Sequence, residues 1–211
     1  MKKCVFLLIF LVNLSVFAQT DFQPTGSFKV EIALPNNATN IAFRDQLQGL
    51  VALTPSYQHT FGSTFSVGAG LRYSYFNVNQ FKNNVGLSGG MHIAGVFGKI
   101  GQEKFYGNFG LDYGVRAGYA LNISTTNKLR EAGRSPHIFD GGFVEPTIGL
   151  ALMADERSSF RLALSYAFHG FTLKPGHLGL DDFSGYPDDK LDRFTSFFCI
   201  GFGYSYYFGI N

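Results

Sequence analysis

Large apolar residues alternate with small or polar ones along most of the sequence. In FYGNFGLDYGVRAGYALNI, residues 105–123, the odd positions are mainly aromatic or aliphatic, whereas the even positions include glycine, asparagine, Asp112 and Arg116. A repeat of two residues is typical of a β-strand that presents one apolar face and one small or polar face. The alternation predicts eight strands, over residues 26–34, 50–61, 65–76, 86–97, 105–122, 143–154, 160–171 and 194–208.

The segments between these predicted strands alternate in length. Three are short and rich in turn residues: 62–64, 98–104 and 155–159. The others are mostly longer and richer in polar residues, proline and glycine: 35–49, 77–85, 123–142 and 172–193. Short turns at one end and long loops at the other are typical of an antiparallel barrel in an outer membrane.

The two faces of the predicted strands differ in size and charge. One face carries large apolar side chains, with His59 as its one titratable residue; on the fourth predicted strand it comprises Leu87, Met91, Ile93 and Phe97. The other face carries small residues together with His92, His169 and seven charged residues, namely Lys29, Glu31, Arg72, Asp112, Arg116, Glu145 and Arg161.

The bulk of the apolar face decides between a soluble barrel and a membrane barrel. In a soluble, lipocalin-like barrel the apolar face would point inward, but eight strands enclose room only for side chains or one small ligand. The apolar face is too large for that lumen, and the glycine-rich face is a poor coat against water. We therefore expect the apolar face to contact lipid, in a barrel that closes because hydrocarbon cannot satisfy an open sheet edge.

Composition and the first residues agree with a membrane protein that is exported from the cytoplasm. Charged residues make up 15% of the 211 residues, compared with about 25% in a soluble domain. Lys2 and Lys3, the apolar run 5–12 and the small residues Val16 and Ala18 predict a signal peptide over residues 1–18, followed by a barrel domain over 19–211. Without Lys2 and Lys3, the 17 basic residues fall to 15 and match the 15 acidic ones. This balance argues against a nucleic-acid partner.

The end of the chain carries the features of an assembly signal. In GFGYSYYF, residues 201–208, Gly203, Tyr206 and Phe208 occupy the positions of the terminal aromatic strand that outer-membrane barrels present for assembly. The chain resembles the small eight-stranded outer-membrane β-barrel family, which includes the membrane domain of outer membrane protein A. The resemblance implies an all-β, closed, antiparallel transmembrane barrel in a Gram-negative outer membrane, with both termini in the periplasm. It also implies contacts with the barrel-assembly machinery, outer-membrane lipid and lipopolysaccharide.

The inward charges have two interpretations. Four basic residues face three acidic ones, and we favour paired interior charges that stabilise a filled barrel, because an unpaired buried charge is costly. The alternative is a path for ions or protons. No cofactor motif or metal-ligand cluster is present in the sequence.

Three functional classes follow from these patterns. We favour a structural or surface-interacting barrel that is neither a general porin nor an enzyme. A lipid A-acting acyl hydrolase would require Ser165, His169 and Glu145 to form a catalytic group, although all three are predicted to point inward. An accessory factor in surface export or assembly is the third class.

Two predicted loops have opposite charge. The third long loop carries Arg130, Arg134 and His137, and the fourth carries the acidic residues Asp181, Asp182, Asp188, Asp189 and Asp192. The loops either attract one another or form a site for Ca²⁺ or for lipopolysaccharide phosphate. The pattern names no partner for the loops.

Overall fold

A computed structural model describes residues 23–62, 64–80, 86–183, 191 and 194–210; the predicted signal peptide over 1–18 lies outside them. Its strands are β1 (Pro24–Asn37), β2 (Leu47–Phe61), β3 (Phe65–Val78), β4 (Gly89–Tyr106), β5 (Phe109–Thr126), β6 (His137–Met153), β7 (Ser158–His169) and β8 (Thr195–Ile210). Two short α-helices, α1 (Ile41–Gln46) and α2 (Asn127–Glu131), and a 3-10 helix (Pro175–Leu178) lie in the connections. Among the described residues, no helix has the length and hydropathy of a membrane span.

The strands form one closed sheet in chain order. Each strand pairs with the next in antiparallel fashion, and β1 closes the barrel against β8 from Pro24 opposite Ile210 to Asn37 opposite Phe197. The predicted all-β, eight-stranded antiparallel barrel is therefore confirmed. The three short turns lie at the same end as the start of β1 and the end of β8, which we call the turn end. The four longer connections lie at the opposite end, which we call the loop end.

The hairpin between β4 and β5 is not where the sequence predicted it. The expected turn over 98–104 is continuous strand, and the turn instead occupies Gly107 and Asn108, inside the stretch that we expected to be a single strand. Gly107 has a φ of 62°, a backbone conformation that glycine adopts without steric cost. The glycines in GKIGQ suggested a turn, but Gly101 lies within the sheet, where a Cβ would collide with the backbone of β5.

The inward and outward faces of β4 are also the reverse of the prediction. Met91, Ile93 and Phe97 are buried inside the barrel, and Leu87, which precedes the strand, is buried as well. Val96 and Ile100 point outward and are 59% and 61% exposed. His92, expected inside, lies outside, where its Nδ1 is hydrogen-bonded to the Tyr73 hydroxyl at 2.8 Å. Over residues 89–97 both faces of β4 carry apolar side chains, so alternation there could not distinguish the two faces.

Two prolines interrupt the pairing between neighbouring strands. The paired register of β2 and β3 skips Thr54 and Pro55, and that of β6 and β7 skips Glu145 and Pro146. Proline has no N–H to donate to a strand ladder. In an eight-stranded ring the two interrupted pairings, β2–β3 and β6–β7, lie on opposite sides of the barrel.

Candidate functional site

The middle of the lumen is filled by nine charged side chains, which we call the ion network. None of them is more than 5% exposed: Lys29, Glu31, Arg72, Lys99, Glu103, Asp112, Arg116, Glu145 and Arg161. The structure thus brings together all seven inward charges singled out in the sequence and adds Lys99 and Glu103. These two were missed because they fall in the segment that was expected to be a turn. Their alternation with Gly98, Ile100 and Gln102 was the available signal.

Asp112 lies at the centre of the ion network. Its carboxylate accepts hydrogen bonds from Lys29 Nζ at 2.9 Å, from Lys99 Nζ at 2.6 Å and from Arg161 Nη2 at 2.7 Å. Glu103 accepts from Lys29 Nζ at 2.9 Å. Hydrogen bonds to charged groups are stronger than those between neutral groups, so Asp112 holds side chains from β1, β4 and β7 against β5.

The ion network continues across the barrel. Arg116 Nη2 donates to Glu31 at 2.7 Å, and Arg116 Nη1 lies 3.9 Å from Glu145. Arg72 Nη1 donates to Glu145. Arg161 Nε lies 3.6 Å from Glu31 and connects this group with Asp112. Within the described residues the lumen holds five of these cations and four carboxylates, so the charges are nearly balanced.

Gly203 and Tyr207 help to close the lumen toward the turn end. A Cβ on Gly203 would lie 2.6 Å from the Val30 carbonyl oxygen and 2.9 Å from Arg161 Cγ, so this glycine leaves space for both the neighbouring strand and the arginine. The Tyr207 hydroxyl donates to Glu103 at 3.1 Å, and its ring packs edge-on against Phe105 with centroids 5.4 Å apart. The remaining predicted assembly residues, Tyr206 and Phe208, point outward and are 44% and 38% exposed.

The loop half of the lumen contains a second layer, which we call the aromatic cluster. Its larger buried members include Phe43, Phe76, Met91, Ile93, Phe97, Phe143, Phe171, Leu173, Leu178, Phe183 and Phe197. Cation–π contacts connect the two layers: the Arg72 guanidinium lies 5.3 Å from the Phe197 ring centroid, and that of Arg116 lies 5.3 Å from Phe97. The sequence predicted only small and charged residues in the lumen, so this apolar layer corrects that expectation.

Helix α1 supplies one member of the aromatic cluster from a loop. The Asn40 side chain accepts a hydrogen bond from the Phe43 N–H at 3.1 Å and caps the helix. The Asn37 side-chain amide donates to the Phe43 carbonyl at 3.0 Å. Phe43 is fully buried and its ring centroid lies 5.0 Å from that of Phe76. The first long loop therefore folds into the mouth of the barrel.

The residues of the hydrolase alternative do not form a catalytic group. His169 is stacked between Phe143 and Phe197, with both centroid distances at 5.1 Å. Neither of its ring nitrogens has a hydrogen-bond partner among the described residues. Glu145 is paired with arginines, and no hydrogen bond joins Ser165 to the His169 ring in this part of the structure. A nucleophile–base pair requires such a bond, and the base must in turn be oriented by a carboxylate.

The described residues also lack a metal centre. No group of three or more His, Cys, Asp and Glu side chains within them is arranged to hold a metal ion. Asp181 and Asp182 are exposed, whereas Asp188, Asp189 and Asp192 of the acidic loop lie outside the described residues. Cys199 is buried inside the barrel, and its Sγ lies 3.4 Å from Arg72 Nη2.

The third and fourth long loops contact each other. The Thr126 hydroxyl donates to the Leu178 carbonyl at 2.6 Å. The His177 ring stacks on Phe139 with centroids 4.0 Å apart and lies 5.4 Å from His137. Partial burial, with smaller effects of His137 and Lys174, lowers the pKa of His177 to about 4. Arg130 and Arg134 remain exposed at the loop end.

The outer wall has the organisation of a membrane-facing surface. Its outward positions are apolar and well exposed, for example Ile32 at 59% and Phe202 at 74%. Aromatic side chains form a girdle at each end. The turn-end girdle includes the Tyr57–Phe208 and Phe160–Tyr204 pairs, and the loop-end girdle includes Tyr73, Tyr75, Tyr119, Tyr166 and Phe168. An apolar band between two aromatic girdles is typical of outer-membrane barrels.

Solved structures of known proteins share this architecture. The outer membrane protein OprG from Pseudomonas aeruginosa matches with a TM-score of 0.54 at 12% identity, over 90% of this chain and 100% of that one. Neisserial surface protein A matches with a TM-score of 0.56 at 8% identity, over 87% of this chain and 97% of that one. No family model matches the chain, and no curated protein is similar to it in sequence. The chain has the fold of the small eight-stranded outer-membrane β-barrels.

Proposed function

We propose that the protein is an integral outer-membrane barrel whose role is structural or depends on contacts at the cell surface, not on conduction through its lumen. The observation that carries this proposal is the filled lumen. The ion network occupies the middle of the barrel and the aromatic cluster occupies the loop half. The apolar outer wall and its two aromatic girdles support insertion in a membrane.

Conductance tests the filled lumen directly. Eight strands enclose little more than side chains, whereas porins with open channels use about 16–18 strands. We expect the refolded protein to give no stable, large ohmic openings in planar bilayers under conditions in which a general porin does. Long-lived openings of porin size would contradict the proposal.

We also propose that both termini lie in the periplasm and that the loop end faces the cell exterior. One cysteine added at each of two exposed positions tests this orientation: Arg134→Cys in the third long loop and Glu156→Cys in a short turn. A membrane-impermeant maleimide should label Arg134→Cys in intact cells and Glu156→Cys only after the outer membrane is permeabilised. The unsubstituted protein, whose Cys199 is buried, provides the background. The reverse labelling pattern would invert the orientation.

The proposed partners during biogenesis are the barrel-assembly machinery and the surrounding lipid and lipopolysaccharide. Phe208→Ala should lower the amount of assembled barrel in cells but leave refolding into lipid vesicles nearly unchanged. Phe202→Ala, on the same strand and the same face, is the matched control and should not show this difference. Equal effects of both variants in cells would exclude a special role for Phe208.

A further inference from the structure

An apolar groove crosses the outer wall in the loop half of the barrel. It spans β2 to β5 and has a volume of about 620 Å³, within the range of about 300–1,000 Å³ that is usual for ligand sites. Its walls are outward-facing side chains that are each at least 37% exposed: Leu53, Leu71, Tyr73, Val96, Tyr119 and Leu121.

Two features of the sequence create the depth of this groove. Ala94 lies opposite Tyr73 on β3 and opposite Leu121 on β5, so a single methyl group stands between two much larger side chains. Pro55 also lines the groove and lies in the interrupted pairing of β2 with β3. The groove is thus formed by strands of the wall and does not lie between loops.

We infer that this groove binds one acyl chain of a lipid in the outer leaflet, an inference that rests on the proposed orientation of the barrel. The side chains that form its walls are uncharged, and the guanidinium of Arg72, whose backbone borders it, points inward to Glu145. Hydrocarbon is the chemical complement of such a surface.

The polar groups beside the groove lie where a lipid head group begins. The Tyr73 hydroxyl is hydrogen-bonded to His92, and the Tyr119 hydroxyl is hydrogen-bonded to Asp140. His92 lies opposite Tyr75, and Asp140 lies opposite Leu121, so each is two residues nearer the loop end than the tyrosine that it contacts. An acyl chain between the two tyrosines would therefore extend toward the middle of the bilayer, with its head group among these polar side chains.

The size of the groove argues against a second copy of the chain. Ten residues line it, whereas a stable protein interface requires about 20–30 residues on each side. A concave strip of this size fits a chain-shaped ligand and leaves most of the outer wall to exchangeable lipid.

Retention of a lipid after transfer to detergent tests the inference, and the chain contains no tryptophan to interfere. Tyr119→Trp places a fluorophore at the groove. Phe202→Trp places one on β8, at the same number of residues from the loop end of its strand. Both variants are refolded in vesicles of phosphatidylcholine with brominated acyl chains, which quench tryptophan, and are then diluted into lipid-free detergent. Phe202→Trp should regain its full fluorescence, whereas Tyr119→Trp should keep most of its quenching.

A groove-filling substitution provides the control. Ala94→Phe in the Tyr119→Trp background should abolish the retained quenching, whereas Ala69→Phe, outward on the adjacent strand β3 and outside the groove, should preserve it. Electrophoretic mobility of unheated samples reports folding in every variant. If Tyr119→Trp and Phe202→Trp are both folded and regain the same fraction of their fluorescence, the acyl-chain site is wrong, whereas the membrane barrel is unaffected. A chain that does not fold into vesicles at all would instead overturn the proposed function.

Discussion

The two layers of the lumen are filled by opposite chemistry. In the ion network, each carboxylate is held by specific charged partners at fixed distances, as at Asp112. In the aromatic cluster, Phe43, Phe76 and Phe197 contact each other through ring faces and edges. The first layer tolerates no missing partner, because a buried charge without one is costly. The stability of the aromatic cluster depends on how completely its side chains fill the space, and neighbouring side chains can shift to fill part of a cavity.

The difference follows from what each layer is attached to. Residues of the ion network come from strands, whose spacing is fixed by backbone hydrogen bonds, so charged groups can be positioned within hydrogen-bonding distance. The aromatic cluster receives Phe43, Phe171 and Leu178 from the long connections. Apolar contacts have no directional requirement, which suits side chains that are supplied by loops.

The largest effect is expected at the centre of the ion network. Asp112→Asn should lower the free energy of unfolding by about 3–5 kcal/mol, because three cations lose their shared carboxylate in a buried site. Urea titration of the protein refolded in phosphatidylcholine vesicles measures the change. Adding Lys99→Met should restore part of the loss by removing one of those cations. A cost below about 1 kcal/mol for the single variant would show that water reaches these charges and screens them.

A somewhat smaller effect is expected in the aromatic cluster. Phe43→Ala should cost about 3 kcal/mol, at the lower end for removal of a buried phenylalanine, because α1 can shift into part of the cavity. Conductance should stay low, since the ion network still fills the barrel below it. Stable channel openings in Phe43→Ala would show that the loop helix alone closes the lumen, and the two layers would then not be independent barriers.

A matched pair of isoleucines on β4 tests which face belongs to the lumen. Ile93→Val should cost about 0.5–1.5 kcal/mol, because it removes a buried methylene from the aromatic cluster. Ile100→Val, at a position 61% exposed on the outer wall, should be nearly neutral, since lipid fills the space that is left. Urea titration of both variants in the same vesicles decides the point. The opposite order of costs would restore the orientation of β4 that alternation suggested.

The smallest effect is expected at the loop end, from pH. The pKa of folded His177 is lowered to about 4 from 6.5, so between these values the unfolded loop binds a proton that the folded loop does not. The stability contributed by this packing is present above pH 6.5 and falls as the pH decreases toward 4. Hydrogen exchange of the amides of residues 173, 174 and 176–179, corrected for the intrinsic rate, should accelerate over this interval. His177→Phe should remove the pH dependence; an unchanged dependence would assign it to another group.

Most of the fold could be predicted because seven of the eight strands have unlike faces. Lys29 and Glu31 alternate with exposed apolar residues on β1, and Asp112 and Arg116 do so on β5. Burial of one face then fixes the orientation of the whole strand, since a shift by one residue would reverse every side chain. The loop half of β4 lacks this contrast, so its orientation was predicted wrongly. The turn predicted over 98–104 also concealed the inward residues Lys99 and Glu103.

The aromatic cluster could not be predicted for a different physical reason. Phe43 lies in a segment without strand periodicity, and Phe171 is the last residue of the predicted strand 160–171. Nothing local to either position indicates that the chain folds back into the barrel there. Their burial depends on a mouth formed by Phe76, Phe143 and Phe197 from three separate strands. Such a contact exists only after the barrel has closed.

The two proline interruptions have a mechanical consequence. A closed ring that is weakened at two opposite points flattens most easily there, so the pairing gaps beside Pro55 and Pro146 favour an oval distortion of the barrel. Arg72 and Glu145 are the inward residues at those gaps, and their side chains are joined to each other across the lumen. This ion pair therefore opposes a change in the distance between the two gaps.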